Sequence, residues 1–552
     1  MNRKNLLTAA LAVILIVITT IAFVKIFDMK LDQNGDNIFY FSLAKSLSQG
    51  DGYVDGINFG KLTPHSHFPP GYPVLMSLLM RTGFDTIKAM KIMNGVFLVL
   101  SVIVCFFIFL HLTKNKWLSF FVGGLIGLNA SLLGWATIMM SEIPYLFWTT
   151  LSILLFLKAF HFEKITAIKI RHYLCFAGAV FCMVFAYFIK SIGMALFLAM
   201  CITLGIEVIR MSILYWKKRT LEKSNFQKNT IVLGIFMLMT VSMFYVPYKI
   251  WGQRTKSLGG DNYTGQFMRK SDGTEMTTYK DWETRITKHT QDAIQQWVPY
   301  SIFQNKSTNP NLTPTSWFLG ILLLGVLFWG AYKANSWLIF LYVGFSIGVQ
   351  LFYNETYAGM RYMVGVVPFL IFYFVYGVYT LVYQGIAFIN KKFKPNIILD
   401  LAIIAVLAMI FVPAYADSFE RRKKLSKFKV WNVYNSSQGF VEFQEMAEWV
   451  SQNISQEKVV ANRKPEVFYM YSNYFRTVGL PGMNTSPEDV LTFLDTQNVN
   501  YILLDHWFGR AYSVIYPAIQ RNPEKFRVIH TIGTNAPNST PTLLVEYLPN
   551  SN

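Results

Sequence analysis

The chain is 552 residues long, 53% hydrophobic, 16% aromatic and only 15% charged, with a formal net charge of +19. That composition is too apolar for an ordinary soluble protein and points to a polytopic membrane protein. The four cysteines, Cys105, Cys175, Cys182 and Cys201, all fall in apolar stretches, so no disulfide framework is implied.

Arg3 and Lys4 precede a first apolar run, Asn5 to Phe27. It is too long for the core of a signal peptide and has no small-residue cleavage site, so it reads as a retained span. Further spans are expected at about 86–112, 118–139, 143–160, 174–188, 191–209, 230–251, 316–332, 336–353, 362–384 and 397–416, each near the ~20 residues that cross a bilayer. That makes about eleven. With the amino terminus inside, alternate turns carry Lys114 and Lys116; Lys164, Lys169 and Arg171; Arg210, Lys217, Lys218, Arg219, Lys223 and Lys228; Lys333; and Lys391, Lys392 and Lys394. Only Glu163 and Glu222 oppose them there. Cytoplasmic turns are enriched in Lys and Arg, so the basic balance is an orientation signal and no nucleic-acid partner is implied.

This layout places the loop at 28–85, the turn at Glu142, the long loop 252–315 and the segment 417–552 on the external face. The expected division is a membrane domain over 1–416 and an external domain over 417–552. In the latter, β-rich runs at 458–461, 501–505, 527–531 and 542–547 alternate with helical patterns at 439–453, 465–471, 487–496 and 512–521. That argues a small α/β domain. The loop 252–315 is too long for a simple connector and is helical in pattern around 279–297.

The most informative stretch is Asn34 to Pro73. Asp36 opens an amphipathic helical pattern with Ile38, Phe39, Phe41, Leu43, Ala44 and Leu47 on its apolar side. Such a helix suits the plane of the membrane interface. The chain turns through Gly50, Gly52 and Gly56 and stops at His67-Phe68-Pro69-Pro70-Gly71-Tyr72-Pro73. Read alone, Asp36 is either a carboxylate capping that helix or a reactive group at headgroup depth.

Asp36, Tyr40, Leu43 to Leu47, Gly50, Gly52-Tyr53 and the His67 to Pro73 run together resemble the first extracytoplasmic loop of GT-C membrane glycosyltransferases, near protein O-mannosyltransferases and lipid A aminoarabinose transferases. The resemblance implies a helical polytopic fold, a polyprenyl-phosphate sugar donor and catalysis by the acidic residue of this loop, here Asp36. Many members carry a second acid directly after the first, where this chain has Asn37. Tyr40, His67 and Tyr72 are the loop residues expected to contact substrate.

Transfer from a polyprenyl phosphate needs a base for the acceptor proton, donors or cations for the departing phosphate, and an apolar groove for the lipid. Asp36 is the candidate base, with Asp32 as a fallback. Glu142, in a Ser-Glu turn at the outer mouth of two spans, is a second catalytic candidate; a solvated boundary carboxylate is the plain alternative. Lys190 and Arg361 both stand on the face where basic residues are uncommon. The resemblance implies an arginine at the position of Arg361 that contacts the lipid-linked phosphate, which suits a guanidinium that binds phosphate oxygens in two-point geometry. Arg361 is therefore expected there, and Lys190 at the phosphate or the acceptor. The alternatives are an interfacial anchor and a snorkelling lysine. His65 and His67 near Asp55 lack a third ligand at a metal spacing. No cofactor is required by this reading; a divalent metal is the minority alternative and is not supported by the spacing.

The function expected is an inverting glycosyltransferase of a bacterial cytoplasmic membrane, moving a sugar to an envelope glycan, lipid or protein on the external face. A transporter or flippase of lipid-linked sugars would place charges inside spans and show symmetry between halves. A membrane receptor with an external sensor domain would not need Asp36, Glu142 and Arg361.

Overall fold

The computed structural model describes the chain except residues 1–2, 32–35, 58–61, 160–169, 219–222, 259–267, 269–275, 305–313, 355–357, 391–395, 428–437, 508–509, 534–539 and 550–552. Asp32 lies outside the described residues. The chain divides into two compact units, one of Met1–Asp28, Pro69–Tyr72 and Ile87–Ser426, the other of Met29–Phe68, Pro73–Thr86 and Lys427–Asn552. The expected boundary at 416/417 falls inside the helix Ile397–Lys427, and most of the first loop groups with the carboxy-terminal residues.

The first unit is helical. Nine described helices are long and apolar enough to cross a membrane: Asn5–Ile26, Ile87–Thr113, Glu142–Ala159, Ile170–Ile189, Ser191–Trp216, Phe226–Ser257, Thr315–Ala334, Val367–Ile389 and Ile397–Lys427. The two other expected spans differ. The stretch 118–139 is a pair of helices, Lys116–Gly127 and Ala130–Ala136, bent by 54°. The break is set by Asn129, whose side chain accepts from Ser131 N and Leu132 N and starts a new helix. The stretch 336–353 is the helix Trp337–Phe352 of 16 residues, ~24 Å long and short of a ~30 Å hydrocarbon core. Part of the loop 252–315 is helical as its pattern indicates: Tyr279–Asp292 starts from a Thr278/Asp281 capping box, followed by a π-helical turn, Ala293–Trp297, and Val298–Phe303.

The second unit centres on a five-stranded sheet. Its strands are β3 (Val460–Asn462), β4 (Thr477–Gly479), β5 (Tyr501–Leu504), β6 (Phe526–Ile532) and β7 (Thr542–Tyr547), after a small hairpin of β1 (Val54–Asp55) and β2 (Thr63–Pro64). The order is β4-β3-β5-β7-β6; β4, β3 and β5 are parallel, and β5, β7 and β6 antiparallel. Val459, Ala461, Ile502, Leu504 and Val545 form its core with Val490, Leu494, Val514 and Ile515 from the helices Pro487–Thr496 and Arg510–Arg521.

The helix Asp36–Gln49 belongs to this unit. Its apolar stripe was expected to lie on the membrane surface; the structure instead covers it with protein. Ile38, Phe41, Leu43 and Ala44 are buried. Phe41 stacks on Tyr474 at 5.7 Å, Lys45 Nζ sits 3.5 Å from the centre of the same ring, and Thr477 N donates to Ile57 O at 3.2 Å. Amphipathicity specifies that one face will be covered, not by what.

Candidate active site

In the first unit, Glu142 begins the helix Glu142–Ala159 and is fully buried. Its Oε1 accepts from Lys190 Nζ at 2.6 Å and from Arg361 Nε at 2.5 Å. Oε2 has no hydrogen-bond partner among the described residues. Two cations therefore share one carboxylate oxygen. Lys190 is 10% exposed and Arg361 29%, so the guanidinium is the part that reaches outward.

Local sequence explains how three residues far apart in the chain meet. Lys190 is the single extended residue (φ −152°, ψ 123°) between the helix ending at Ile189 and the 3₁₀ turn Ser191–Gly193. A side chain that would run along a helix is thereby turned aside at the end of two spans. The end of the preceding helix is clasped by Gly71 of the Pro69–Tyr72 run. A Cβ at Gly71 would lie 2.6 Å from the Phe188 carbonyl carbon and 2.7 Å from Ile189 N, so only glycine fits. Tyr72, fully buried, is held with its hydroxyl 3.3 Å from Asn94 Oδ1. Asn94 Nδ2 in turn donates to Ile138 O at 2.8 Å and Met140 O at 3.1 Å, the backbone just before Glu142. The motif thus braces both the lysine and the glutamate from behind.

Arg361 follows Gly359, whose φ of +137° is glycine territory, on the short helix Met360–Met363. That turn docks at Gly365, where a Cβ would meet Tyr342 Oη and Tyr145 Cε1, themselves on the Trp337–Phe352 and Glu142–Ala159 helices. Tyr362, beside Arg361, presents its ring 4.6 Å from Lys190 Nζ and stacks on Tyr353. The same unit holds an apolar cavity of about 450 Å³ lined by Ile294, Pro299, Phe303, Leu319, Leu323 and Phe374.

In the second unit, Asp36 is the first residue of its helix and half-buried. A carboxylate there is favoured by the helix dipole. His67 is exposed and packs edge-on to Phe68 at 4.7 Å, and Tyr40 packs on the same ring at 4.8 Å. Desolvation lowers the His67 pKa, and the Asp36 carboxylate opposes that, placing the two groups within electrostatic reach. Asn37 is fully buried, and neither atom of its amide has a hydrogen-bond partner among the described residues.

The seven sequence-derived candidates therefore divide. Glu142, Lys190 and Arg361 form one cluster, with Tyr72 behind it; Asp36, His67 and Tyr40 form a second. Tyr40 and Tyr72, expected as substrate contacts, are both buried, and the Tyr72 hydroxyl donates to Asn94 Oδ1. Asp55 and His65 are also engaged locally, Asp55 Oδ1 accepting from Ser42 Oγ and Ile57 N, and His65 Nε2 from Phe68 N. Among the described residues no group of three or more His, Cys, Asp or Glu side chains is placed to hold a metal. Asn94 and Tyr362 were not singled out from sequence. A lone amide within an apolar span and an aromatic directly after Arg361 were the available signals.

No family model and no curated protein matches the sequence. Solved structures do match by fold. ArnT from Cupriavidus metallidurans, a lipid A aminoarabinose transferase solved bound to undecaprenyl phosphate, aligns with a TM-score of 0.56 at 11% identity over 98% of each chain. The apo oligosaccharyltransferase of Archaeoglobus fulgidus aligns with a TM-score of 0.55 at 11% identity, over 96% of this chain and 74% of that one. The same organism's AglB, in complex with an inhibitory peptide and a dolichol-phosphate, gives 0.53 at 10% identity over 98% and 74%. The apolar helices, the strands of the carboxy-terminal region and these alignments agree on one conclusion: the chain has the fold of the GT-C membrane glycosyltransferases.

Proposed function

We propose that this protein is an inverting glycosyltransferase that moves a sugar from a polyprenyl-phosphate carrier to an envelope glycan, lipid or protein on the external face of a bacterial cytoplasmic membrane. The observation that carries the reading is the Glu142 cluster, in which one buried carboxylate fixes Lys190 and the partly exposed Arg361. An ammonium and a guanidinium fork gathered at one point suit a lipid-linked phosphate, and charge-assisted bonds to phosphate are among the stronger hydrogen bonds. The polyprenyl phosphate and dolichol phosphate seen with the two similar proteins support the same donor class. The apolar cavity suits a prenyl chain.

In this mechanism Arg361 and Lys190 hold the donor phosphate, and Glu142 keeps both cations in place. The acceptor hydroxyl or amine attacks C1 of the sugar from the face opposite the phosphate. The bond from C1 to the phosphate oxygen breaks, polyprenyl phosphate leaves with that electron pair, and Asp36 takes the acceptor proton. A single in-line displacement inverts the anomeric centre. A positioned base contributes about 100- to 10,000-fold in rate. Asp36→Asn is therefore expected to insert and fold normally yet lose transfer by that order, while Asp32→Asn is much milder. The measurement is transfer of labelled sugar from polyprenyl phosphate at matched membrane abundance. Wild-type rates in Asp36→Asn would end this mechanism.

A further inference from the structure

The second unit contains a feature that the transfer reaction does not use. Strand β3 lies between β4 and β5, and all three are parallel. From β3 the chain runs through the helix Pro465–Tyr471 to β4, at one edge of the sheet. From β5 it runs through the helix Arg510–Arg521 to β6, at the opposite edge. The two connections diverge, so the carboxyl ends of β3 and β5 flank a topological switch point, where open α/β sheets hold their ligands.

The residues at those two ends are polar. Arg463 and Lys464 follow β3; Asp505, His506 and Trp507 follow β5. The register pairs Val460 with Tyr501 and Ala461 with Ile502, which brings Arg463 and Asp505 to adjoining strand ends. Asp505 is 1% exposed; its Oδ1 accepts from Trp507 N at 3.1 Å, and its Oδ2 has no partner among the described residues. Arg463, His506 and Trp507 around it are partly exposed. Glu442 supports the rim from the helix Gln438–Asn453, with its Oε2 3.7 Å from His506 Nδ1 and accepting from Thr542 Oγ1. The start of that helix presses close: a Cβ at Gly439 would lie 2.9 Å from His506 Nε2 and from Trp507 N.

From this arrangement we infer that the switch point between β3 and β5 is a saccharide-binding crevice, with Asp505 at its floor and Arg463 and His506 at its mouth. A buried carboxylate oxygen lacking a donor calls for a hydroxyl that donates to it. An adjacent guanidinium donates to an acceptor, and one vicinal diol supplies both in a single ligand. A simple anion fits less well, because it would meet the Asp505 carboxylate. The site is independent of the membrane cluster and recognises a glycan whether or not that glycan is the acceptor.

The test is titration of the full-length protein in nanodiscs with methyl hexopyranosides, followed by saturation-transfer NMR and calorimetry, with inorganic phosphate as the anionic control. Saturable glycoside binding is expected, weakened about tenfold or more in Asp505→Asn and in Arg463→Gln, with inorganic phosphate failing to compete. Thermal unfolding of each variant separates lost binding from lost folding, and either variant that folds suffices. Undiminished binding in a folded variant, displacement by inorganic phosphate, or absence of saturable glycoside binding would each overturn the assignment.

Discussion

Two polar clusters lie at opposite ends of the helical unit, and they are built on different terms. One joins Glu142, Lys190 and Arg361. The other joins Asp400 to Tyr379, Tyr383 and Asn115. The helices Lys116–Gly127 and Ala130–Ala136 run from Asn115 at one end towards Glu142 at the other. In the Asp400 cluster both oxygens are occupied: Oδ1 accepts from the hydroxyls of Tyr379 and Tyr383, and Oδ2 from Asn115 Nδ2 at 2.9 Å. Asn115 also caps its own helix through Trp117 N and Leu118 N. The donors are neutral and every bond closes within the fold. The Glu142 cluster has two cations crowded on one oxygen, and the other has no partner among the described residues. A saturated network ties helices together; an unsaturated one holds charge in readiness for something absent from the fold.

The sharpest way to break that contrast is Glu142→Ala. Removing the shared carboxylate leaves two cations without their counter-charge, and breaking such a buried pair costs about 3–5 kcal/mol. Thermal unfolding in detergent is expected to show a large drop, with sugar transfer abolished. A variant of unchanged stability would mean that the cations do not depend on Glu142.

Arg361→Ala comes next. Loss of a charge-assisted contact worth about 1.5–3 kcal/mol predicts a donor KM raised roughly ten- to hundredfold, with acceptor dependence little altered. Arg361→Lys is expected to recover part of this, because it keeps the charge and not the fork. An unaltered donor KM would remove Arg361 from the phosphate site.

Asp400→Ala is expected to act the other way round. It strands two hydroxyls and an amide at a cost of about 1–3 kcal/mol in stability. Transfer per folded molecule should stay at the wild-type level. A selective fall in turnover at intact stability would erase the distinction between the clusters.

The smallest effect is a titration, and it asks whether the unsaturated pattern recurs in the second unit. Burial pushes the Asp505 carboxyl up to about 6, against the pull of the Arg463 guanidinium, the Trp507 amide and His506. Its ordinary value is 3.8, so between about 4 and 6 the unfolded state loses the proton first. The native state then binds more protons, and stability falls as pH rises through that window, by no more than about 1.4 kcal/mol per pH unit. Above about 6 this contribution levels off. Unfolding curves of the wild type and Asp505→Asn across that range should diverge; parallel curves would mean that Asp505 is not desolvated.

Much of this was legible in the amino-acid sequence wherever a periodic pattern met a matching length. The strands Tyr501–Leu504 and Thr542–Tyr547 and the helices Pro465–Tyr471 and Pro487–Thr496 stand within a residue of their expected places. Strand β4 was missed because three residues, Thr477–Gly479, are too few to show alternation. The charged candidates were legible because the layout expected from the sequence puts Lys190 and Arg361 on the face where basic residues are uncommon. Their convergence on Glu142 was not, since the partners lie 48 and 219 residues away in the chain. The role of Gly71 was hidden for a related reason: it is defined by the backbone it touches at Phe188 and Ile189, not by its neighbours in the motif.

The placement of the helix Asp36–Gln49 bears on modularity. Its Phe41 and Lys45 lean on Tyr474, and the loop after it is bonded through Ile57 to Thr477. The carboxy-terminal region is therefore no detachable appendage. Truncation after Lys427 would unseat the segment that begins with Asp36, and grafting the region of another enzyme would fail unless the replacement offered an aromatic ring and a strand edge at the same places. A substitution on one side of that seam therefore has to be matched on the other, although more than 400 residues of chain separate them.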